Sequence, residues 1–197
     1  MDRERLKKQI DFILEIDKEK NILRQTHISG YTRRENDAEH AWHMAVMIWL
    51  LKEYSNSEFD VAKAMMMALI HDIVEIDAGD TYAYDTENKK TQKEREKKAA
   101  DRIFGLLPGE QKEELWALFE EFETCESNEA KFVRVMDNLQ PLLLNDLNGG
   151  KDWIAHKVKK SQVEKRQSST KQGSEAIWDF TKDIIEKNAD MGNLVNE

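Results

Sequence analysis

Chain breakers are scarce in this sequence. Two Pro and eight Gly make up about 5% of 197 residues, under half the ~12% those two residues average together. With so few positions able to end a helix or form a tight turn, the chain is predicted to be all-α. Hydropathy agrees, because apolar residues recur at helical spacing and no alternating stretch is long enough to compete as a strand. No internal repeat is present. The length suits one domain, and 40% apolar residues, with five Trp and eight Met, can build its core.

A single cysteine, Cys125, excludes an intramolecular disulfide framework and a Cys-rich zinc module. It fits a reducing compartment, so a cytoplasmic location is expected. The first twenty residues carry charge throughout and hold no apolar stretch of signal-peptide type. The longest apolar run, residues 64–70, is far short of the ~18 needed to cross a bilayer. A formal net charge of −9 disfavours nucleic acid polymers as partners. Any anionic ligand must therefore be held by local cations.

The periodicity predicts helices joined by short connections. The first covers about residues 3–20 through Leu6, Ile10, Ile13, Leu14 and Asp17, and residues 21–35 read as a polar loop. Asn36 and Glu39 form a capping-box pattern ahead of Met44, Met47, Ile48 and Leu51. A third helix, almost wholly apolar, is expected to run through Val74 in a central position. Residues 77–88 read as a functional loop. Helices to about Phe104 and Phe122 follow, then one from Ser127 through Leu144 with a bend at Pro141. Residues 157–175 read as a solvated helix or loop before a last helix at 177–187.

His71 and Asp72 interrupt the apolar segment Val61–Val74. An unpaired buried carboxylate costs at least several kcal/mol, so both side chains need partners. A divalent metal is one answer, and a plain His–Asp hydrogen bond is another. Glu75 lies four positions after His71 and shares its helical face. Asp137 sits on an apolar stripe with Val133, Pro141 and Leu144, and His40 lines up with Met44, Met47 and Leu51, so both should face inward. Two imidazoles and two carboxylates suit Mn²⁺, Co²⁺, Fe²⁺, Ni²⁺ or Zn²⁺ better than Mg²⁺, which prefers oxygen-only shells.

Together His40, His71, Asp72 and Asp137 read H…HD…D, with 31 positions from His40 to His71 and 65 from Asp72 to Asp137. Around them stand Arg24, Arg33 with Glu35-Asn36 and Glu39-His40, His71-Asp72-Ile73-Val74-Glu75, and Gly79-Asp80. Over about residues 5–150 the chain resembles the HD-domain phosphohydrolases, and within them the helical branch of bacterial 5'-deoxyribonucleotidases. The resemblance implies a single all-α HD domain of about eight helices over residues 1–197. Its core motifs would lie in 24–140, with a C-terminal helical extension at about 151–190. It also implies one divalent transition metal on His40, His71, Asp72 and Asp137, and catalytic carboxylates at Glu75 and Asp80, without saying which is acid and which base. Arg24 and Arg33 would hold the phosphate, and relatives commonly pair as homodimers. Gln25 stands where that branch has an aromatic residue after its first arginine, which leaves the sugar preference open.

The reading is a metal-dependent phosphomonoesterase that hydrolyses nucleoside 5'-monophosphates to nucleoside and phosphate, by attack of metal-activated water on phosphorus. Other HD chemistry is the alternative, on a triphosphate, a cyclic nucleotide or a guanosine alarmone, as is a catalytically silent metal-binding regulatory module. Of the remaining histidines, His43 reads as a core or supporting residue, His27 as solvated and His156 as uninvolved. The tryptophans read as core or subunit contacts. Tyr82 and Tyr84 are placed to line a pocket, and the mixed charges of residues 89–98 read as a solvated helix face.

Overall fold

Asp2 opens the first helix, α1 (Arg3–Ile16), by accepting the backbone N–H groups of Glu4 and Arg5. The computed structural model describes residues 2–85 and 87–196, so Thr86, inside the expected loop at 77–88, lies outside the described residues. After a 3₁₀ turn at Asp17–Asn21 the chain makes a hairpin of β1 (Leu23–His27) and β2 (Arg34–Asn36). Then come α2 (Asp37–Leu51), α3 (Val61–Ile70), the single turn α4 (Glu75–Ala78), α5 (Lys89–Phe104) and α6 (Gly109–Thr124). The C-terminal part comprises α7 (Asn128–Leu147), α8 (Lys151–His156), α9 (Lys160–Gln167), α10 (Thr170–Gly173) and α11 (Glu175–Asp190). Eight of the described helices are eight residues or longer, and no described helix is long and apolar enough to cross a membrane.

α7 is the axis. Phe132, Val133, Val135, Met136 and Leu139 are buried on several sides of it and meet Met44 and Ile48 of α2 and Met67 of α3 in one apolar cluster. A second cluster joins α5 and α6 to the end of α3 through Ile70, Ile103, Phe104, Leu115 and Phe119. The N-terminal capping box at Asn36 and Glu39 forms as expected, with both reciprocal hydrogen bonds in place.

Four expectations need correction. Residues 21–35 are not simply a loop: β1 and β2 pair antiparallel, with an irregular register between Leu23↔Asn36 and His27↔Arg34. Gly30 and Tyr31, both at positive φ, close the turn. Such a short ribbon of mostly polar residues leaves little periodic signal. The third helix ends at Ile70 rather than Val74, because the peptide N–H groups of Ile73 and Glu75 bond three residues back, to Ile70 and Asp72. Leu6, Ile10, Ile13 and Leu14 of α1 keep their spacing but stay exposed, and Phe12 is the buried residue there. Residues 157–175 are not merely solvated: Val163, Gln167, Thr170 and Gly173 are buried against the rest of the chain. Gly173 fits because an added Cβ would lie 2.7 Å from the Lys131 carbonyl oxygen of α7.

Candidate metal centre and cavity

His40, in the first turns of α2, and His71, at the end of α3, place their rings 5.7 Å apart in the interior. Each ring is held from behind. His40 Nδ1 lies 2.9 Å from Gln140 Oε1, and His71 Nδ1 lies 2.8 Å from the Ala68 carbonyl oxygen. Both partners can only accept, so Nδ1 carries the proton and Nε2 presents a lone pair. Both Nε2 atoms are buried without a hydrogen-bond partner. Instead each faces a carboxylate: His71 Nε2 is 3.1 Å from Asp72 Oδ1, and His40 Nε2 is 3.5 Å from Asp137 Oδ1. Lone pairs converging at these distances repel unless a cation lies among them. Donor atoms of His40, His71 and Asp72 come within 4.8 Å of one another, so the nitrogen and oxygen donors fit a divalent ion.

The electrostatics point the same way. Burial, with the Arg24 charge nearby, pushes His40 down to about 4, so at physiological pH the ring is neutral and its Nε2 lone pair is available. Burial also opposes charge on His71, but Asp72 outweighs it and the His71 pKa ends above its usual value. Without a metal, a proton takes the cation's part there. Asp72 and Asp137 are held well below the usual carboxylate range despite their burial, Asp72 by His71 and Arg24 and Asp137 chiefly by Arg166.

Beside this centre lies an all-oxygen group. Donor atoms of Asp37, Glu75 and Asp80 also come within 4.8 Å of one another, and one oxygen of each is buried without a partner. Burial first and the neighbouring carboxylates second raise Glu75 far above its ordinary pKa and bring Asp37 up to about 7, while Asp80 is raised as well. Carboxyls this close need shared protons or a cation. Arg24, on β1, joins the two groups, with Nη1 2.7 Å from Asp72 Oδ2 and 3.2 Å from Asp37 Oδ1.

Both groups open into a cavity of about 400 Å³. Arg24, Gln25, His71, Asp72, Glu75, Asp80 and Asp137 line it, and Tyr82, Tyr84 and Trp153 form an aromatic wall. Arg33 does not reach it: the hairpin turn leaves its side chain 53% exposed, and Glu39 takes both guanidinium Nη groups at 2.8 and 2.6 Å. His43 sits behind the centre, with Nδ1 3.2 Å from Gln140 Nε2. His27 is not free in solvent, since its Nδ1 and backbone N–H both bond to the Asp152 carboxylate.

Asp37, Gln140, Arg134 and Arg166 belong to the site but were not legible as such. An acid in the first turn of a helix is ordinary dipole chemistry, which hides Asp37. Gln140 has no metal-ligand chemistry of its own. Arg134 and Arg166 have Nη atoms 3.2 and 3.0 Å from Asp137 Oδ2; Arg166 comes from a segment that reads as solvated, and Arg134 from a helix read only for its apolar stripe. The position of Gln140, three residues from Asp137 and next to Pro141 on a buried stripe, was the one available signal.

A family model described as HD domain matches residues 16–178. Among curated proteins, the human 5'-deoxynucleotidase HDDC2 is 35% identical over 111 residues, covering 56% of this chain and 53% of that protein. The chain thus spans about half the length of this relative and of its vertebrate counterparts. The 5'-deoxynucleotidase hdd1 of Schizosaccharomyces pombe is 25% identical over 164 residues, covering 76% and 81%. Among solved structures, a predicted metal-dependent phosphohydrolase from Magnetospirillum magnetotacticum MS-1 superposes with a TM-score of 0.93 at 43% identity, over 97% of this chain and 96% of that one.

Proposed function

The chain belongs to the HD domain family, and on that premise we propose that it is a metal-dependent phosphomonoesterase releasing phosphate from nucleoside 5'-monophosphates. The observation that carries this reading is the pair of buried, unpartnered Nε2 atoms of His40 and His71, each facing a carboxylate oxygen. His40, His71, Asp72 and Asp137 would hold one divalent transition ion, with Mn²⁺, Co²⁺, Fe²⁺, Ni²⁺ or Zn²⁺ favoured over Mg²⁺ by the mixed donor set. When bound there, such an ion supplies Lewis acidity, polarising a phosphoryl oxygen and making a water molecule more acidic.

The chain's own residues supply the rest. Arg24 lines the cavity beside Asp72 and brings positive charge to the phosphate. Glu75 and Asp80 face the same space and form the proton-handling pair: one takes a proton from the attacking water and the other gives one to the leaving oxygen. Tyr82, Tyr84 and Trp153 offer aromatic surface for the nucleoside. The names of the nucleotidase relatives support the substrate class. Arg33 has no part in this reading.

The experiment is to strip the protein of metal, restore each ion separately, and measure phosphate release from ribo- and deoxyribonucleoside 5'-monophosphates beside Asp72→Ala. Metal-restored release that vanishes in Asp72→Ala is expected, and the ratio between sugars reads the consequence of Gln25. Stoichiometric metal binding with no release from any monophosphate would discard the monophosphatase reading.

We also propose a homodimer that covers the exposed apolar stripe Trp42, Val46 and Trp49 of α2, with the exposed Met66 and Leu69 of α3 as further apolar surface. Trp42 is 63% and Trp49 56% exposed, unusual for side chains so large and apolar. Light scattering should give twice the chain mass, and Trp42→Glu with Trp49→Glu should give a folded monomer. A monomeric wild-type protein at micromolar concentration rejects the dimer.

A further inference from the structure

Asp137 uses its two carboxylate oxygens differently. Oδ1 faces His40 at 3.5 Å, while Oδ2 accepts from Arg134 Nη1 at 3.2 Å and from Arg166 Nη2 at 3.0 Å. Arg134 is otherwise committed, its Nη2 donating to the Phe122 carbonyl oxygen at 3.3 Å and its guanidinium lying over the Phe122 ring at 3.8 Å. Arg24 is held between Asp37 and Asp72. Arg166 differs from both. Among the described residues its Nε and Nη1 have no hydrogen-bond partner and no carboxylate besides Asp137 pairs with it, yet it lines the cavity.

Its position is built rather than incidental. The next residue, Gln167, is buried and donates Nε2 to the Asn138 carbonyl oxygen at 2.7 Å, and Thr170 Oγ1 donates to Gln167 Oε1 at 3.0 Å. Asn138 Nδ2 donates in turn to Ser169 Oγ at 3.2 Å. Residues 166 and 167 are thereby locked against 137 and 138. The C-terminal segment thus delivers a guanidinium to the cavity at a set height beside the metal-facing carboxylate.

Charge counting then asks for an anion. A divalent ion on Asp72 and Asp137 would cancel both carboxylates, including the one that Arg166 pairs with. Lys89 lines the same cavity, and its pKa is lowered by burial and by the Arg166 charge, so the two cations lie close enough to feel each other. We propose that Arg166 is a substrate-binding residue, its Nε and Nη1 edge anchoring the phosphoryl group in the role that Arg33 does not reach. The inference rests on the phosphomonoesterase reading for its substrate class. A planar fork suits phosphate oxygens, and a lysine cannot reproduce it.

The test is calorimetric titration of inorganic phosphate into Mn²⁺-loaded wild type, Arg166→Gln and Arg166→Lys, with Mn²⁺ affinity measured separately on metal-free protein. Phosphate binding should weaken about tenfold or more in Arg166→Gln and by less in Arg166→Lys, with Mn²⁺ affinity within about twofold of wild type. Unchanged phosphate affinity overturns the proposal. So does a parallel loss of Mn²⁺ affinity in both variants, because Arg166 would then act only by positioning Asp137. Wild-type protein that binds no phosphate overturns it as well. Phosphate release by the same wild-type sample judges the hydrolytic reading separately: binding through Arg166 without release would sink that reading and leave the anchor standing.

Discussion

His40 donates its Nδ1 proton to Gln140 Oε1 at 2.9 Å, a bond that spans 100 positions of sequence and fixes Nε2 as the ring nitrogen that faces Asp137. Gln140 is oriented in turn, since its Nε2 donates to Glu35 Oε1 at 2.6 Å. A partner that sets the tautomer and angle of a metal-binding imidazole typically contributes ~10–100-fold in metal affinity. Gln140→Ala should therefore weaken Mn²⁺ binding by about that factor, and turnover should recover at high Mn²⁺. Metal affinity equal to wild type would remove Gln140 from this role.

Glu75→Gln and Asp80→Asn test the proton-handling pair. Each substitution keeps the side-chain shape but removes a titrating group, a change that costs ~10²–10⁴-fold in general acid–base catalysis. Turnover should fall by about two orders of magnitude or more, with the ion proposed at His40, His71, Asp72 and Asp137 still bound. If either variant loses that ion in proportion to its activity, the residue serves as a ligand instead.

The difference between what sequence and structure reveal follows from how each residue earns its place. His71 and Asp72 were legible because polar residues inside an apolar segment demand an explanation. His40 and Asp137 followed from their stripes; the structure gathers the donor atoms of His40, His71 and Asp72 and sets Asp137 Oδ1 3.5 Å from His40 Nε2. Arg33 was misplaced because a motif string places residues in order but says nothing of which face of a hairpin turn they occupy. Arg166 and Gln167 were illegible for the opposite reason. Their neighbourhood is polar and reads as solvated, whereas its burial is made possible by hydrogen bonds to α7 that periodicity does not encode.

Gly173 packs the C-terminal segment tightly against α7. An added Cβ would stand 2.7 Å from the Lys131 carbonyl oxygen and 2.7 Å from Val135 Cγ2, so the backbone must shift. Overpacking of this kind costs ~1–3 kcal/mol, which exceeds the ~0.4–1 kcal/mol gained by restricting the unfolded chain. Gly173→Ala should lower Tm by several degrees in a thermal melt. Because Thr170 of α10 bonds Gln167 of α9, which in turn bonds the Asn138 carbonyl, a shift of α10 should disturb the Arg166 position and phosphate affinity should fall as well. A Tm at or above the wild-type value would show that α10 adjusts freely.

Glu96, on α5 and lining the cavity, carries a pH signature that one substitution can read. Its side chain is buried, and although Gln92 Nε2 donates to it at 2.7 Å, burial raises its pKa to about 7 from an ordinary 4.5. The folded state therefore holds this proton where the unfolded chain has released it. Between about pH 4.5 and 7 the native form binds more protons, so this group's contribution falls as pH rises and its penalty is complete above about 7. Glu96→Gln removes the ionised form. In metal-free protein the variant should melt about 2–4 °C above wild type at pH 8, equivalent to about 1 kcal/mol, and close to wild type at pH 4.5. Neighbouring acids titrate in both proteins, so the difference between the two melting curves isolates Glu96. An equal offset at both pH values would mean that the effect comes from packing and not from the proton.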